Sequence, residues 1–228
     1  MIEDERLRIE FNDWARAGRG VSMERGHRPA GEQAIARLNL ETDSRVIDLG
    51  CGSGWATRLM AERANRGRVV GIDISDEMIA LARISSAEFS NVEFQIGSAE
   101  NLPFGDGEFT HAFSMESIYY YANMPQALSE IRRVLAPNGI FATVVDLYQE
   151  NEPSHQWIAQ LKVPVQFLSI EQYHELFTAA GFVDVFDERL YDPTPIPEDY
   201  TGGSFKSRAD YMKYREAGSL LITGRVKV

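Results

Sequence analysis

The sequence holds one cysteine, Cys51, in 228 residues. A lone thiol excludes an intrachain disulfide framework and a cysteine-rich zinc module, and it suits a reducing compartment. No uncharged apolar run approaches the ~18 residues that a membrane-spanning helix needs. The first residues, Met1-Ile2-Glu3-Asp4-Glu5-Arg6, are acidic and lack the apolar stretch of a signal peptide. A cytoplasmic chain without membrane insertion is therefore expected. Basic residues are few: 23 Lys and Arg against 34 Asp and Glu leave a net charge of −11. Such a surface repels phosphate backbones, which argues against nucleic-acid and anionic-membrane partners. Internal repeats and low-complexity tracts are absent. A hydrophobic content of 44% is enough for a sizeable core, so residues 1–228 are read as a single domain.

What is present is an alternation of strand-like and helix-like segments. Residues 1–28 form an acidic, helix-prone start with Phe11 and Trp14, followed by a flexible stretch at 17–20. A helix is expected over 29–39. Strands are expected at 45–49, 68–72, 92–96, 109–113 and 140–145, with helices at 56–64, 76–86 and 125–135 between them. Pro137-Asn138-Gly139 reads as a turn. A helix over 170–180 ends at Gly181, a C-cap candidate, and two more strands follow at 182–190 and 219–228. Strands separated by helices imply βαβ units and a parallel sheet with helices on both faces. Segments 148–168 and 191–217 are too long for plain connections and read as irregular inserts beside a site.

Val46-Ile47-Asp48-Leu49-Gly50-Cys51-Gly52-Ser53-Gly54 is a strand entering a glycine loop and then a helix. Glycines there let a ligand approach the backbone at a helix N-terminus. The spacing G-x-G-x-G, with Trp55 next, matches neither the dinucleotide fingerprint nor the phosphate loop. An acid, Asp73, ends the following strand, where a carboxylate can accept ribose hydroxyls.

Val46–Trp55 resembles motif I of the class I S-adenosylmethionine (SAM) dependent methyltransferases. Gly71–Ser75 resembles the second motif, and Gly97–Phe104 the third. Val134–Ile140 is similar to the turn into strand five, while Glu171–Phe182 and Ser219–Val228 are similar to the last helix and final strands. Within the family, the resemblance is to the small-molecule subgroup related to ubiquinone and menaquinone C-methyltransferases. It implies a Rossmann-like, doubly wound α/β fold: a seven-stranded sheet, mostly parallel, with an antiparallel final strand. It implies SAM as cofactor, S-adenosylhomocysteine (SAH) as product and a SAM-binding core over 29–147, with the inserts lying in a C-terminal half, 148–228.

Carried onto this chain, the resemblance assigns Asp48, Gly50, Cys51, Gly52 and Gly54 to the cofactor loop and Asp73 to the ribose. Ile74 falls to the adenine face, and Ser98, Ala99 and Glu100 to the adenine edge. Ser98 stands where the family usually has Asp, and a hydroxyl is the weaker acceptor. The Ser114 carbonyl is expected near the methionine amino group.

A sulfonium methyl is already electrophilic, so the protein mainly aligns the acceptor, excludes water and moves a proton where one must leave. Glu116 and His27 are the candidates for that proton work; His111, His155 and His174 read as structural. Tyr119, Tyr120, Trp157 and Tyr200 are candidates for the acceptor wall. Residues 1–28 together with one or both inserts are expected to form a lid over the acceptor pocket, with hinges at Gly18-Gly20 and Gly202-Gly203. Ser114-Met115-Glu116-Ser117 is not the [N/D]-P-P-[Y/F] of amino-methylating enzymes. Asp146 ends strand five without a visible partner acid, so no metal is expected. The acceptor is expected to be a small molecule; the oligomeric state is not legible. A non-catalytic SAM- or SAH-binding paralogue is the alternative. A Rossmann oxidoreductase is disfavoured by the glycine spacing, and an RNA methyltransferase by the charge.

Overall fold

The computed structural model describes residues 2–200 and 205–227. The expected hinge at Gly202-Gly203 lies outside them. The chain opens with two helices, α1 (Ile2–Arg16) and α2 (Arg19–Arg37), and then enters the sheet at β1 (Arg45–Leu49). There follow α3 (Trp55–Arg63), β2 (Arg68–Asp73), α4 (Asp76–Ser85), β3 (Val92–Ile96) and β4 (Phe109–Met115). The second half contains α5 (Met124–Val134), β5 (Leu135–Val145), α6 (Ile170–Ala179), β6 (Phe182–Leu190), α7 (Arg208–Ala217) and β7 (Ser219–Val226).

The seven strands lie in the order β3-β2-β1-β4-β5-β7-β6. All pairings from β3 through β5 are parallel, whereas β7 runs antiparallel to both β5 and β6. The chain steps outward from β1 to β3 on one side and then crosses to β4 on the other. The point between β1 and β4 is thus the topological switch, where a crevice opens at the strand carboxyl ends. Side-chain alternation divides the core between the two faces. Ile47, Leu49, Val70 and Ile72 pack with α5 and α6 residues on one face, and Val46, Val69, Phe113 and Val144 pack with α2 and α3 residues on the other. Among the described residues, no helix is long and apolar enough to cross a membrane.

Three expectations are corrected. The stretch at 17–20 is a corner between helices, with Gly18 in the left-handed region (φ 70°) as the N-cap of α2. The helix expected from 29 therefore begins ten residues earlier, at Arg19, and carries Pro29 in its interior. The second insert is not wholly irregular, since α7 occupies its end; Ser207 caps it by accepting the Asp210 N–H. Residues 137–139 do not separate helix from strand. They form an irregularity inside β5, with Asn138 at φ 64° and a shift of register against Phe109 and His111. The first insert, by contrast, holds only the 3-10 segment Glu152–Gln160.

Candidate functional site

At the switch point lies a cleft lined by the glycine loop, the ends of β2 and β4, the residues after β3 and the two N-terminal helices. Its floor is the glycine loop. Gly50 takes φ 68°, and a Cβ there would come within 2.3 Å of the Ser117 side chain, so only glycine lets the loop pass beneath Ser117. A Cβ on Gly52 would meet no atom within 4 Å, which leaves its face open to a ligand. Asp73 holds the loop in place: Oδ2 accepts the Gly52 N–H and Oδ1 the Ser75 N–H, each at 2.8 Å. Burial raises the Asp73 carboxyl above its ordinary range, against these backbone hydrogen bonds. Ser75, not Asp73, caps α4, by accepting the Met78 N–H.

Ile72, Ile74, Gly97, Ser98, Ala99 and Glu100 continue the wall past Asp73. Ser98 Oγ accepts the Glu100 N–H at 3.2 Å, and Glu100 Oε1 accepts the Asn123 N–H at 2.8 Å. Three loop residues assigned from sequence sit behind this surface. Asp48 is buried and accepts the Thr57 hydroxyl at 2.6 Å; burial pushes its carboxyl up to about 7. Cys51 is buried, with a thiol that burial raises. Gly54 packs under Phe94 at the start of α3.

Leu7 and Phe11 of α1 and Met23 of α2 line the cleft from the other side. Helix α1 is moored by Asn12, a residue the sequence did not single out. Its Oδ1 accepts the Ser75 hydroxyl at 2.6 Å, and its Nδ2 donates to Asp76 Oδ1 at 2.8 Å. Trp14 stands edge-on to Phe11 outside the cleft and donates to Glu10.

The far end of the cleft is built from β4 and the residues after it: Met115, Glu116, Ser117, Tyr120 and Tyr121. The Ser117 hydroxyl donates to the Leu49 carbonyl at 2.8 Å, with the Ser114 and Tyr121 hydroxyls 2.7 and 3.1 Å from it. Of the tyrosines named from sequence, Tyr120 lines the cleft. Tyr119 turns away, and its hydroxyl donates to Glu116 Oε2 at 2.8 Å; Tyr121, not singled out, takes the place at the wall. Glu116 adopts φ 54°, and its Oε1 accepts the Asp146 N–H. Burial, then the charge of Asp146, raises the Glu116 carboxyl well above the carboxylate range. His27 joins this pair: one ligand atom each from His27, Glu116 and Asp146 lies within 4.8 Å of the others. Burial lowers the His27 imidazole, and the charge of Asp146 opposes that.

Trp157 and Tyr200 do not reach the cleft. They belong to an aromatic cluster with Phe205, Tyr211 and Tyr214, at ring separations of 4.9–5.7 Å from their neighbours. That cluster touches the far end of the site through Tyr214, whose hydroxyl donates to Asp146 Oδ2 at 2.6 Å. His111 lies against Thr110, His155 against the Gln149 carbonyl and Phe167, and His174 against Asp187. None of the three lines the cleft. The signal for Tyr121 was available in the Tyr119-Tyr120-Tyr121 run. Asn12 and the grouping of His27 with Asp146 arise only from tertiary packing.

A family model described as a methyltransferase domain matches residues 47–143, the segment from β1 into β5. The demethylmenaquinone methyltransferase of Staphylococcus epidermidis is 25% identical over 87% of each chain. The 2-phytyl-1,4-naphtoquinone methyltransferase of Thermosynechococcus vestitus is 34% identical over 57% of this chain and 59% of its own. A putative methyltransferase of Haloferax volcanii, solved in complex with the Trm112 methyltransferase activator, superposes with a TM-score of 0.90. It is 34% identical and covers 96% of this chain and 98% of its own. With the strand order, the glycine loop and Asp73 at the end of β2, these likenesses establish that the chain belongs to the class I SAM-dependent methyltransferases, enzymes that use SAM as cofactor.

Proposed function

We propose that this enzyme methylates a small-molecule acceptor held between Glu116, Tyr120 and the α1 wall, with SAM along the glycine loop. One observation carries the reading: the open backbone at Gly52 and the Asp73 carboxylate share a crevice whose opposite side is closed by Leu7, Phe11 and Met23. The donor set fits the cofactor. Asp73 retains acceptor capacity for a ribose diol beyond its two backbone hydrogen bonds. Ile74 and Ala99 offer an apolar face to a purine, and Ser98 and Glu100 offer polar atoms at its edge. The open side of Gly52 receives the amino-acid end, beside Ser117 where it stands over Gly50.

When bound, SAM supplies an electrophilic methyl and leaves as SAH. The protein's contribution is positional. Residues of α1 and α2 cover the cleft and exclude water, the role expected of a lid, and Tyr120 fixes the plane of the acceptor. Glu116, which lines the cleft, with His27 beside it, is the group assigned here to take up a proton leaving the acceptor. The relatives named for quinone substrates support a flat acceptor. A second reading follows from the Haloferax neighbour: a small activator protein as partner.

The test is calorimetry with SAH, followed by SAM turnover with a panel of phenols, quinols and amines. SAH binding at one site per chain and turnover by the chain alone are expected. Turnover only after a Trm112-type activator is added would favour the second reading. SAH binding with no turnover in either case would identify a non-catalytic binder, and absence of SAH binding would overturn both.

A further inference from the structure

The cluster of His27, Glu116 and Asp146 has a property that proton transfer does not use. Asp146 is 2% exposed, and its Oδ1 has no hydrogen-bond partner among the described residues. A buried carboxylate oxygen left bare costs free energy on the scale of a lost hydrogen bond to a charged group, so it requires a partner. Nor does any Lys or Arg among the described residues form an ion pair with Glu116 or Asp146. Two carboxylates therefore face each other and one imidazole without a counter-charge.

We propose that His27, Glu116 and Asp146 bind a divalent first-row metal cation, and that its remaining coordination positions, on the cleft side at Glu116, take an oxygen of the methyl acceptor. Donor type and spacing agree with this. One imidazole and two carboxylates suit Mn²⁺, Fe²⁺ or Zn²⁺ better than Mg²⁺ or Ca²⁺, which favour oxygen alone. Ligand atoms within 4.8 Å of one another surround an ion with bonds near 2.1 Å once each moves inward by up to about 0.7 Å. The carboxylates are oriented from behind as metal ligands are: Tyr214 donates to Asp146 Oδ2, and Tyr119 and the Asp146 N–H donate to the two oxygens of Glu116. A +2 ion satisfies Asp146 Oδ1 and neutralises both carboxylates at once. A single shared proton would leave one buried negative charge and the imidazole unengaged. The metal-free expectation rested on Asp146 standing alone at the end of β5; the fold gives it two partners, Glu116 just after β4 and His27 in α2.

Metal binding does not depend on the methyltransferase reading, but the acceptor role rests on it. The experiment uses the full chain, stripped with chelator and titrated with Mn²⁺ under electron paramagnetic resonance, with Zn²⁺ as competitor. One Mn²⁺ per chain, displaced by Zn²⁺, is expected, with affinity at least tenfold weaker in Asp146→Asn and in His27→Gln. The His27 variant, at a half-buried position, keeps the test decisive if Asp146→Asn fails to fold; thermal melts verify the fold of each. Oxalate, a bidentate oxygen ligand, should alter the Mn²⁺ spectrum of the wild type. Absence of binding by folded wild type, or binding that both variants leave unchanged, overturns the site; a spectrum unmoved by oxalate overturns the acceptor role. SAH calorimetry on the same stripped sample separates these failures from a failure of the cofactor reading.

Discussion

The two ends of the cleft are built by different means. At the cofactor end, the main groups come from two short stretches, Gly50–Gly54 and Asp73–Ser75, and much of the hydrogen bonding uses main-chain N–H donors on Asp73. At the proposed acceptor end, Glu116, Tyr119, Asp146, Tyr214 and His27 converge from four separate parts of the chain, and the contacts are largely side chain to side chain. The cofactor end leaves no orphan on Asp73, whereas the acceptor end leaves Asp146 Oδ1 bare. A site made of contiguous backbone is fixed once its strands form. A site made of convergent side chains depends on every helix and insert that carries one.

Substitutions can break or sharpen this contrast. The largest expected effect is Asp73→Ala. A charge-assisted hydrogen bond is worth ~1.5–3 kcal/mol, so SAH affinity should fall roughly 10- to 100-fold by calorimetry, while the acceptor end is untouched. Unchanged affinity in a folded variant would remove Asp73 from the cofactor end. Next is a pH effect on stability at Asp48, whose folded carboxyl is raised to about 7. A raised acid stabilises the fold below its unfolded value near 4, and that contribution is lost as pH rises towards 7. Asp48→Asn keeps an acceptor for Thr57 and should flatten this fall. Denaturant melts should then show the variant gaining on wild type between pH 5 and 8 by on the order of 2–3 kcal/mol, each tenfold in proton affinity being about 1.4 kcal/mol. Equal pH profiles would contradict it. The smallest is Asn12→Ala, which removes the hydrogen bonds tying α1 to Ser75 and Asp76. A loss of about 1–2 kcal/mol in the docking of α1 is expected, read as faster proteolysis within α1, with SAH slowing it. Cleavage rates that neither the substitution nor SAH alters would mean that α1 is no cover.

The same contrast explains what the sequence disclosed. The run Val46–Gly54 states both its strand and its turn, because buried strand residues and glycines at alternate positions are local requirements. β3 and β6 were likewise legible at both ends from their apolar content and punctuation. α2 was misplaced because Gly18, Gly20 and Pro29 are usually breakers. Here Gly18 caps the helix, a Cβ on Gly20 would lie 3.3 Å from Ser53, and Pro29 is carried within a nineteen-residue helix. α7 was missed because it has no buried residue and hence no apolar stripe to read. Trp157 and Tyr200 were expected at the wall because they are large and near it in sequence; they pack instead on α7 side chains, at Tyr214 and Tyr211. Asp146 was set aside because a lone acid is common, and its partners arrive only with the tertiary fold.

Cys51 gives the molecule a chemical clock. It is the sole thiol, 5% exposed, and a Cβ on Gly71 beside it would come within 2.9 Å of its sulfur. Burial, then the carboxylates of Asp73 and Asp48, pushes that thiol well above its ordinary range, so almost no reactive thiolate exists in the folded state. An alkylating reagent therefore reacts only when the glycine loop opens. The unaltered chain thus reports, by its own rate of labelling, how often the cofactor floor comes apart.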